Sequence, residues 1–224
     1  MGRRILETLM ALLMLLALYI AVNHSIDTDT AGITRIIVID CGHGGMDGGK
    51  KGVNGVLEKE INLSIGYKLK DLLENNGFTV VMTRTDDNGL YSENDSNKKS
   101  ADMKKRCQII NDSGCDLVIS IHQNSYTSSS VKGAQMFYYK QSQQGKKLAQ
   151  CLEEAIKEKL GTEKARPSKY NDNYYMLLHT HCPTVIAECG FLSNYEEAEQ
   201  LSDESYQQKV AEALCLGIMK FYGR

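Results

Sequence analysis

Four side chains in this sequence have the types and settings that hydrolytic chemistry requires: His43, Glu58, His122 and Glu188. His43 stands in Ile-Ile-Val-Ile-Asp-Cys-Gly-His-Gly-Gly (36–45), where four aliphatic residues run into an acid and then a glycine-rich turn. Glycines at 42, 44 and 45 let the backbone turn sharply and keep bulk away from the imidazole. His122 follows a second aliphatic run, in Ser-Ile-His-Gln-Asn (120–124). Glu188 closes a third, in Val-Ile-Ala-Glu-Cys-Gly-Phe-Leu-Ser-Asn (185–194). A carboxylate there is costly unless it is paired, hydrogen-bonded or working. Glu58 opens a helical pattern in Gly-Val-Leu-Glu-Lys-Glu-Ile-Asn (55–62), with Glu60 close by. Each has an ordinary explanation taken alone: a histidine in a tight turn, or an acid favoured by the helix dipole. Two histidines ending two expected parallel strands are harder to dismiss.

Two histidines and one glutamate, with a fourth position left for water, form the donor set of a catalytic rather than a structural zinc site. A spare carboxylate can take the proton of the attacking water and return it to a leaving amine. The chemistry these types point to is metal-assisted hydrolysis of an amide.

The elements that must position them follow from periodicity. Strand-like runs occur at Arg35–Asp40, Thr79–Thr83, Leu117–Ile121, Ala134–Tyr139 and Thr184–Ala187. Between them, Ile61, Ile65, Leu69, Leu72 and Leu73 recur at helical spacing from Glu58, and Asn75-Asn76-Gly77 supplies the stop. Further helical patterns lie near Ala101–Asn111, Gly145–Leu160 and Ser205–Phe221, and polar Asp86–Ser100 reads as an exposed loop. Alternating strands and helices predict a single α/β domain over 34–224: a mostly parallel, twisted sheet with helices on both faces. Ligands of such sheets sit at the carboxyl ends of the strands, where the two histidines and Glu188 fall.

The chain of 224 residues, 42% apolar with a net charge of −2, can bury one core and offers no general basis for binding nucleic acid. Arg3 and Arg4 precede an apolar stretch, Leu9–Val22, and a polar linker over 23–33. This is the layout of a secretory signal or signal anchor, and the absence of a clean cleavage site favours an uncleaved N-terminal hydrophobic helix. Either form places the remainder outside the cytoplasm, with the membrane as a partner of the N-terminal segment. Seven cysteines without a CxxC pair argue against a structural zinc cluster and read mainly as reduced, small hydrophobes.

These motifs resemble the zinc-dependent N-acetylmuramoyl-L-alanine amidases of bacterial cell walls, the amidase_3 type. The Gly-His-Gly-Gly turn, the Glu-Lys pair opening a helix, Ser-Ile-His-x-Asn and the late Glu-x-Gly-Phe-Leu-Ser-Asn occur in order. Thr83-Arg84, and Arg106 with Asn111, fall where the family has similar elements. The resemblance implies one Zn2+ per chain held by His43, Glu58 and His122, with Glu188 as the catalytic carboxylate. Arg84 and Asp40 are second-tier supports, Asp40 as a residue that orients a ligand. Cys41, standing where the family often has proline, is disfavoured as a ligand because it lies two residues before His43. His179 and His181, whose alternate spacing suits one face of a strand, match no zinc position of the family.

The implied substrate is peptidoglycan, cut between N-acetylmuramic acid and L-alanine. The short layout resembles the germination-specific, spore-cortex members, whose reaction prepares muramic-δ-lactam. That implies an extracytoplasmic location such as the forespore intermembrane space, and leaves room for an accessory protein. A zinc peptidase acting on the stem peptide, and a catalytically silent binding or activator protein, are the rival readings.

Overall fold

The computed structural model describes residues 34–224, with Met10, Leu12, Met14 and Leu16 as four further helical positions. Arg35–Arg224 form one unit and Met1–Thr34 another. The rest of the expected hydrophobic helix over 9–22, and the linker over 23–33, lie outside the described residues. Among the described residues no helix is long and apolar enough to cross a membrane.

Six strands make one sheet: β1 (Ile36–Cys41), β2 (Thr79–Met82), β3 (Leu117–Asn124), β4 (Gln135–Tyr139), β5 (Lys169–Asn171) and β6 (Thr184–Phe191). Their order is β2-β1-β3-β6-β4-β5. The first four in that order are parallel, whereas β4 runs antiparallel to β6 and parallel to β5, so the sheet is mixed. The reversal has a simple cause. Only residues 125–134 separate β3 from β4. A parallel return needs a crossover of about a dozen residues or more, usually helical.

The helices are α1 (Glu58–Asn75), α2 (Lys98–Asp112), α3 (Gln143–Leu160), α4 (Tyr175–His179), α5 (Tyr195–Ser202) and α6 (Glu204–Phe221). Strand alternation sends Ile37, Ile39, Cys41, Leu117, Ile119, Ile121, Val185 and Ala187 into the larger core, with Leu69 of α1, Leu152 of α3 and Leu214 of α6. Full burial of such aliphatic side chains contributes about 1.5–3 kcal/mol each. The opposite face carries Val38 and Val118, covered by Ile110 of α2 and Met176 of α4. Gly66 brings α1 close to β1, because a Cβ there would stand 2.3 Å from the Cys41 sulfur.

Two expectations change. The exposed loop ends at Asn97, whose side chain caps α2 by accepting from the Ser100 N–H at 3.0 Å. His179 and His181 do not share a strand face: His179 ends α4, stacks on Tyr175 and contacts the Tyr175 carbonyl through Nδ1 at 2.8 Å. Strand β6 begins only after Pro183, whose missing N–H and fixed φ suit the position before a strand. Cys115 and Cys182 form a disulfide joining the approaches to β3 and β6, while Cys41, Cys107, Cys151, Cys189 and Cys215 are free.

Candidate active site

The alternation that fills the larger core also gathers the site. Asp40, Ser120, His122 and Glu188 all take the other face of the sheet, toward α2 and α4. Asp40 stands opposite Ser120 across β1–β3, and His122 opposite Glu188 across β3–β6. The parallel register therefore places these groups side by side at adjoining strand ends.

His43 has φ +64°, the one non-glycine positive φ among the described residues. Such a conformation is uncommon outside glycine and persists when its surroundings over-determine it. Two buried arginines do so. Arg106 donates to the Cys41 carbonyl at 2.7 Å and the His43 carbonyl at 2.5 Å. Arg84 donates to the carbonyls of Cys41 (2.8 Å), Gly42 (3.1 Å) and Lys59 (2.8 Å), tying the turn to the start of α1. Asp40 holds Arg106 in place at 2.8 Å while accepting from Thr83 at 2.7 Å and Ser120 at 2.6 Å. Asp40 thus bears on His43 through Arg106, and Arg84 acts on the backbone of the turn.

Glu58 is the first residue of α1 and is almost fully buried. Its Oε1 lies 3.1 Å from His43 Nε2 and 3.0 Å from His122 Nδ1. The same oxygen accepts from the Gln123 N–H at 3.1 Å, and Oε2 from the Lys50 N–H at 2.8 Å. One donor atom each from His43, Glu58 and His122 lies within 4.8 Å of the others. Burial alone would raise the Glu58 carboxyl, but its contacts with His122 and His43 hold it well below the ordinary carboxylate range. For His122 burial works downward, and the Glu58 contact with the nearby Glu188 charge raises it above the ordinary imidazole value.

The donor set fits a zinc ion. Ligand bonds of about 2.0–2.2 Å in tetrahedral geometry put ligand atoms roughly 3.3 Å apart, close to the 3.1 and 3.0 Å from Glu58 Oε1 to His43 and His122. Two lone-pair nitrogens and a carboxylate converge so closely only around a cation or shared protons. Glycines provide the room: a Cβ on Gly42 would stand 2.2 Å from the His122 ring, and one on Gly49 2.5 Å from Glu58 Oε2. Cys41 is outside the group; its thiol packs in the core, where burial pushes it up to about 12.

Glu188 faces a cavity of about 200 Å³ with His43 and His122, walled by Met103, Tyr174, Tyr175 and Ile186. Its Oε2 is buried with no hydrogen-bond partner among the described residues. Burial, assisted by the Glu58 charge and opposed by His122 and His43, pushes the Glu188 carboxyl up to about 7. A carboxyl so placed exchanges protons near neutrality, as a general base and acid must.

Sequence reasoning singles out these four residues, which the structure brings together at adjoining strand ends and the start of α1, and leaves three others unassigned. Arg106 had no role beyond its motif position, because its partners come from β1, sixty-odd residues earlier in the chain. Asp47 contacts His43 Nδ1 through Oδ2 at 3.0 Å, turning Nε2 toward Glu58. Glu197 accepts from the N–H groups of Gly133 at 3.0 Å and Phe191 at 2.8 Å, fixing the chain after Glu188. The spacing Asn194-x-x-Glu197 is the sequence signal that points to it, since Asn194 caps α5 by accepting from the Glu197 N–H.

The family model Amidase_3, described as N-acetylmuramoyl-L-alanine amidase, matches residues 37–220. The chain belongs to this family. It is similar to the germination-specific N-acetylmuramoyl-L-alanine amidase of Bacillus subtilis, at 36% identity over 84% of this chain and 80% of that one. It is 32% identical to the B. subtilis amidase LytC over 85% of this chain and 36% of the longer relative. Among solved structures, the CwlD amidase of Clostridioides difficile, determined in complex with the GerS lipoprotein, superposes with a TM-score of 0.82. That match has 39% identity and covers 84% of this chain and 98% of that one. As an Amidase_3 member the chain is an enzyme, a peptidoglycan amidase of the N-acetylmuramoyl-L-alanine kind.

Proposed function

We propose that the amidase works with one zinc ion held by His43, Glu58 and His122, and that Glu188 is its catalytic carboxylate. The observation that carries this reading is the convergence of those three donors, two of which, His43 and His122, share a cavity with Glu188, whose Oε2 is buried with no hydrogen-bond partner among the described residues. Bound there, zinc supplies Lewis acidity to the amide carbonyl and to the attacking water. Glu188 takes the proton of that water and returns it to the nitrogen of L-alanine as the bond to the lactyl carbonyl breaks. Arg84, Arg106 and Asp40 keep the His43 turn in its positive-φ conformation, so the imidazole needs no reorganisation when substrate enters.

The setting we propose is the spore cortex, where removal of the peptide from muramic acid prepares muramic-δ-lactam. The name and coverage of the B. subtilis relative support it. The GerS lipoprotein solved with CwlD supports an accessory protein as partner. We assign residues 1–33 to a signal or anchor segment and linker that places the catalytic domain, 34–224, outside the cytoplasm. The forespore intermembrane space is the corresponding compartment.

The test is mass spectrometry of purified cortex peptidoglycan digested by the zinc-loaded protein, with and without candidate lipoprotein partners. The reading predicts intact stem peptides with a free L-alanine amine. Shortened stems would instead establish a stem peptidase, and an unchanged digest with every partner would leave a binding protein.

A further inference from the structure

Resting on the amidase reading, the structure also gives the cleft a direction. The Glu188 cavity shares His43, His122 and Met103 with a smaller recess bounded by Asp47, Lys99 and Asp102. Asp47, Lys99 and Asp102 in turn line a third pocket of about 270 Å³, walled by Met46, Tyr91 and Lys98. A line of adjoining recesses therefore runs from Glu188 past His43 and along the first turns of α2. Its two ends differ in chemistry. The Glu188 end is tyrosine and aliphatic; the far end carries Lys98 and Lys99 beside Asp47 and Asp102, the carboxylates being held by His43 at 3.0 Å and Arg106 at 2.6 Å. Lys98 is engaged, bonded to Glu93 at 2.7 Å and lying over the Tyr91 ring. Lys99 is 73% exposed, and its one ion-pair partner among the described residues is Asp47, at 3.3 Å.

The substrate has a matching polarity. On one side of the scissile amide is an uncharged N-acetyl sugar, whose ring faces suit tyrosine walls. On the other is a peptide whose second residue, a γ-linked D-glutamate, presents a free α-carboxylate. We propose that the stem peptide lies along α2, with Lys99 recognising that carboxylate, and that the sugar lies against Tyr174 and Tyr175.

The distances allow this placement. Asp47 Oδ2 lies 3.0 Å from His43 Nδ1 and 3.3 Å from Lys99 Nζ, so the ammonium is within about 6 Å of the His43 ring. An extended residue spans about 3.3–3.6 Å, which puts the carboxylate roughly 7 Å from the scissile nitrogen. An ammonium has three donors; Asp47 occupies one and leaves two for the ligand.

The experiment compares two synthetic muropeptides that differ only in carrying a free carboxylate or a carboxamide at the second stem residue. The zinc-loaded wild type should prefer the acid by about fivefold in kcat/KM, the ceiling for an exposed ion pair. The preference should fall to about one in Lys99→Gln and reverse in Lys99→Glu, and it should shrink with added salt. An acid-to-amide ratio that is equal in all three proteins overturns the assignment. Hydrolysis of neither muropeptide by the wild type would instead refute the amidase reading, and this inference with it.

Discussion

Replacing Asp40 by asparagine separates the support of the His43 turn from its chemistry. Asp40 is fully buried and shares Oδ1 between Arg106 at 2.8 Å and Thr83 at 2.7 Å, while Oδ2 accepts from Ser120 at 2.6 Å. Asparagine keeps the shape and one acceptor but leaves the Arg106 guanidinium with Asp102 as its only carboxylate, at 2.6 Å. Removing one partner of a buried pair costs about 3–5 kcal/mol, and retention of the acceptor puts the expected loss near the lower figure. The pH dependence supplies an independent measure. Burial opposes the charge on Asp40, but Arg106, Ser120 and Thr83 outweigh it and hold the carboxyl at about 2. From an ordinary value near 3.8, that depression corresponds to about 2 kcal/mol. Because the folded value is the lower one, this stability is complete above about pH 4 and drains away as pH falls toward 2. Urea unfolding of both proteins with zinc removed, at pH 7 and at steps down to pH 3, reads both quantities. Wild type should be more stable by about 3 kcal/mol at pH 7, and the gap should narrow with acid. A difference below about 0.5 kcal/mol, or a gap that widens as pH falls, would refute the reasoning.

Alanine at Gly42 places a Cβ 2.2–2.7 Å from three atoms of the His122 ring. Competition with a chelator should show zinc affinity lowered by about tenfold or more, and unchanged affinity would contradict the packing described. Glu197→Ala removes a buried acceptor of the Gly133 and Phe191 N–H groups, at 3.0 and 2.8 Å, and should cost about 2–4 kcal/mol in urea unfolding. A loss below about 1 kcal/mol would mean those groups find other partners. The Cys115–Cys182 bridge closes a loop with a sequence separation of 67. Its reduction should lower stability by up to about 4 kcal/mol, whereas a melting temperature indifferent to reductant would show that the bridge is absent in solution.

The aliphatic runs before His43, His122 and Glu188 are legible because strands buried on both faces need unbroken apolar residues, and the chemistry begins where the run stops. Helix α1 was equally readable from Ile61, Ile65 and Leu69, with its stop at Asn76-Gly77. The direction of β4 was not, since direction is set by the short 125–134 connection rather than by anything inside the strand. Helix α4, five residues long, offers too few turns for periodicity, which left His179 and His181 open to a strand reading. Asp47 and Arg106 escaped for a related reason. Their roles depend on which backbone atoms a turn at positive φ exposes, and those appear only in three dimensions.

The central claim, that three side chains hold the metal while a fourth handles the proton, is tested most directly by measuring zinc content and muropeptide hydrolysis in the same preparations. Wild type should carry about one zinc per chain and release intact stem peptides. Glu188→Ala should keep the zinc and lose hydrolysis, while His43→Ala should lose both. Hydrolysis retained without Glu188, or full zinc content without His43, would contradict the account.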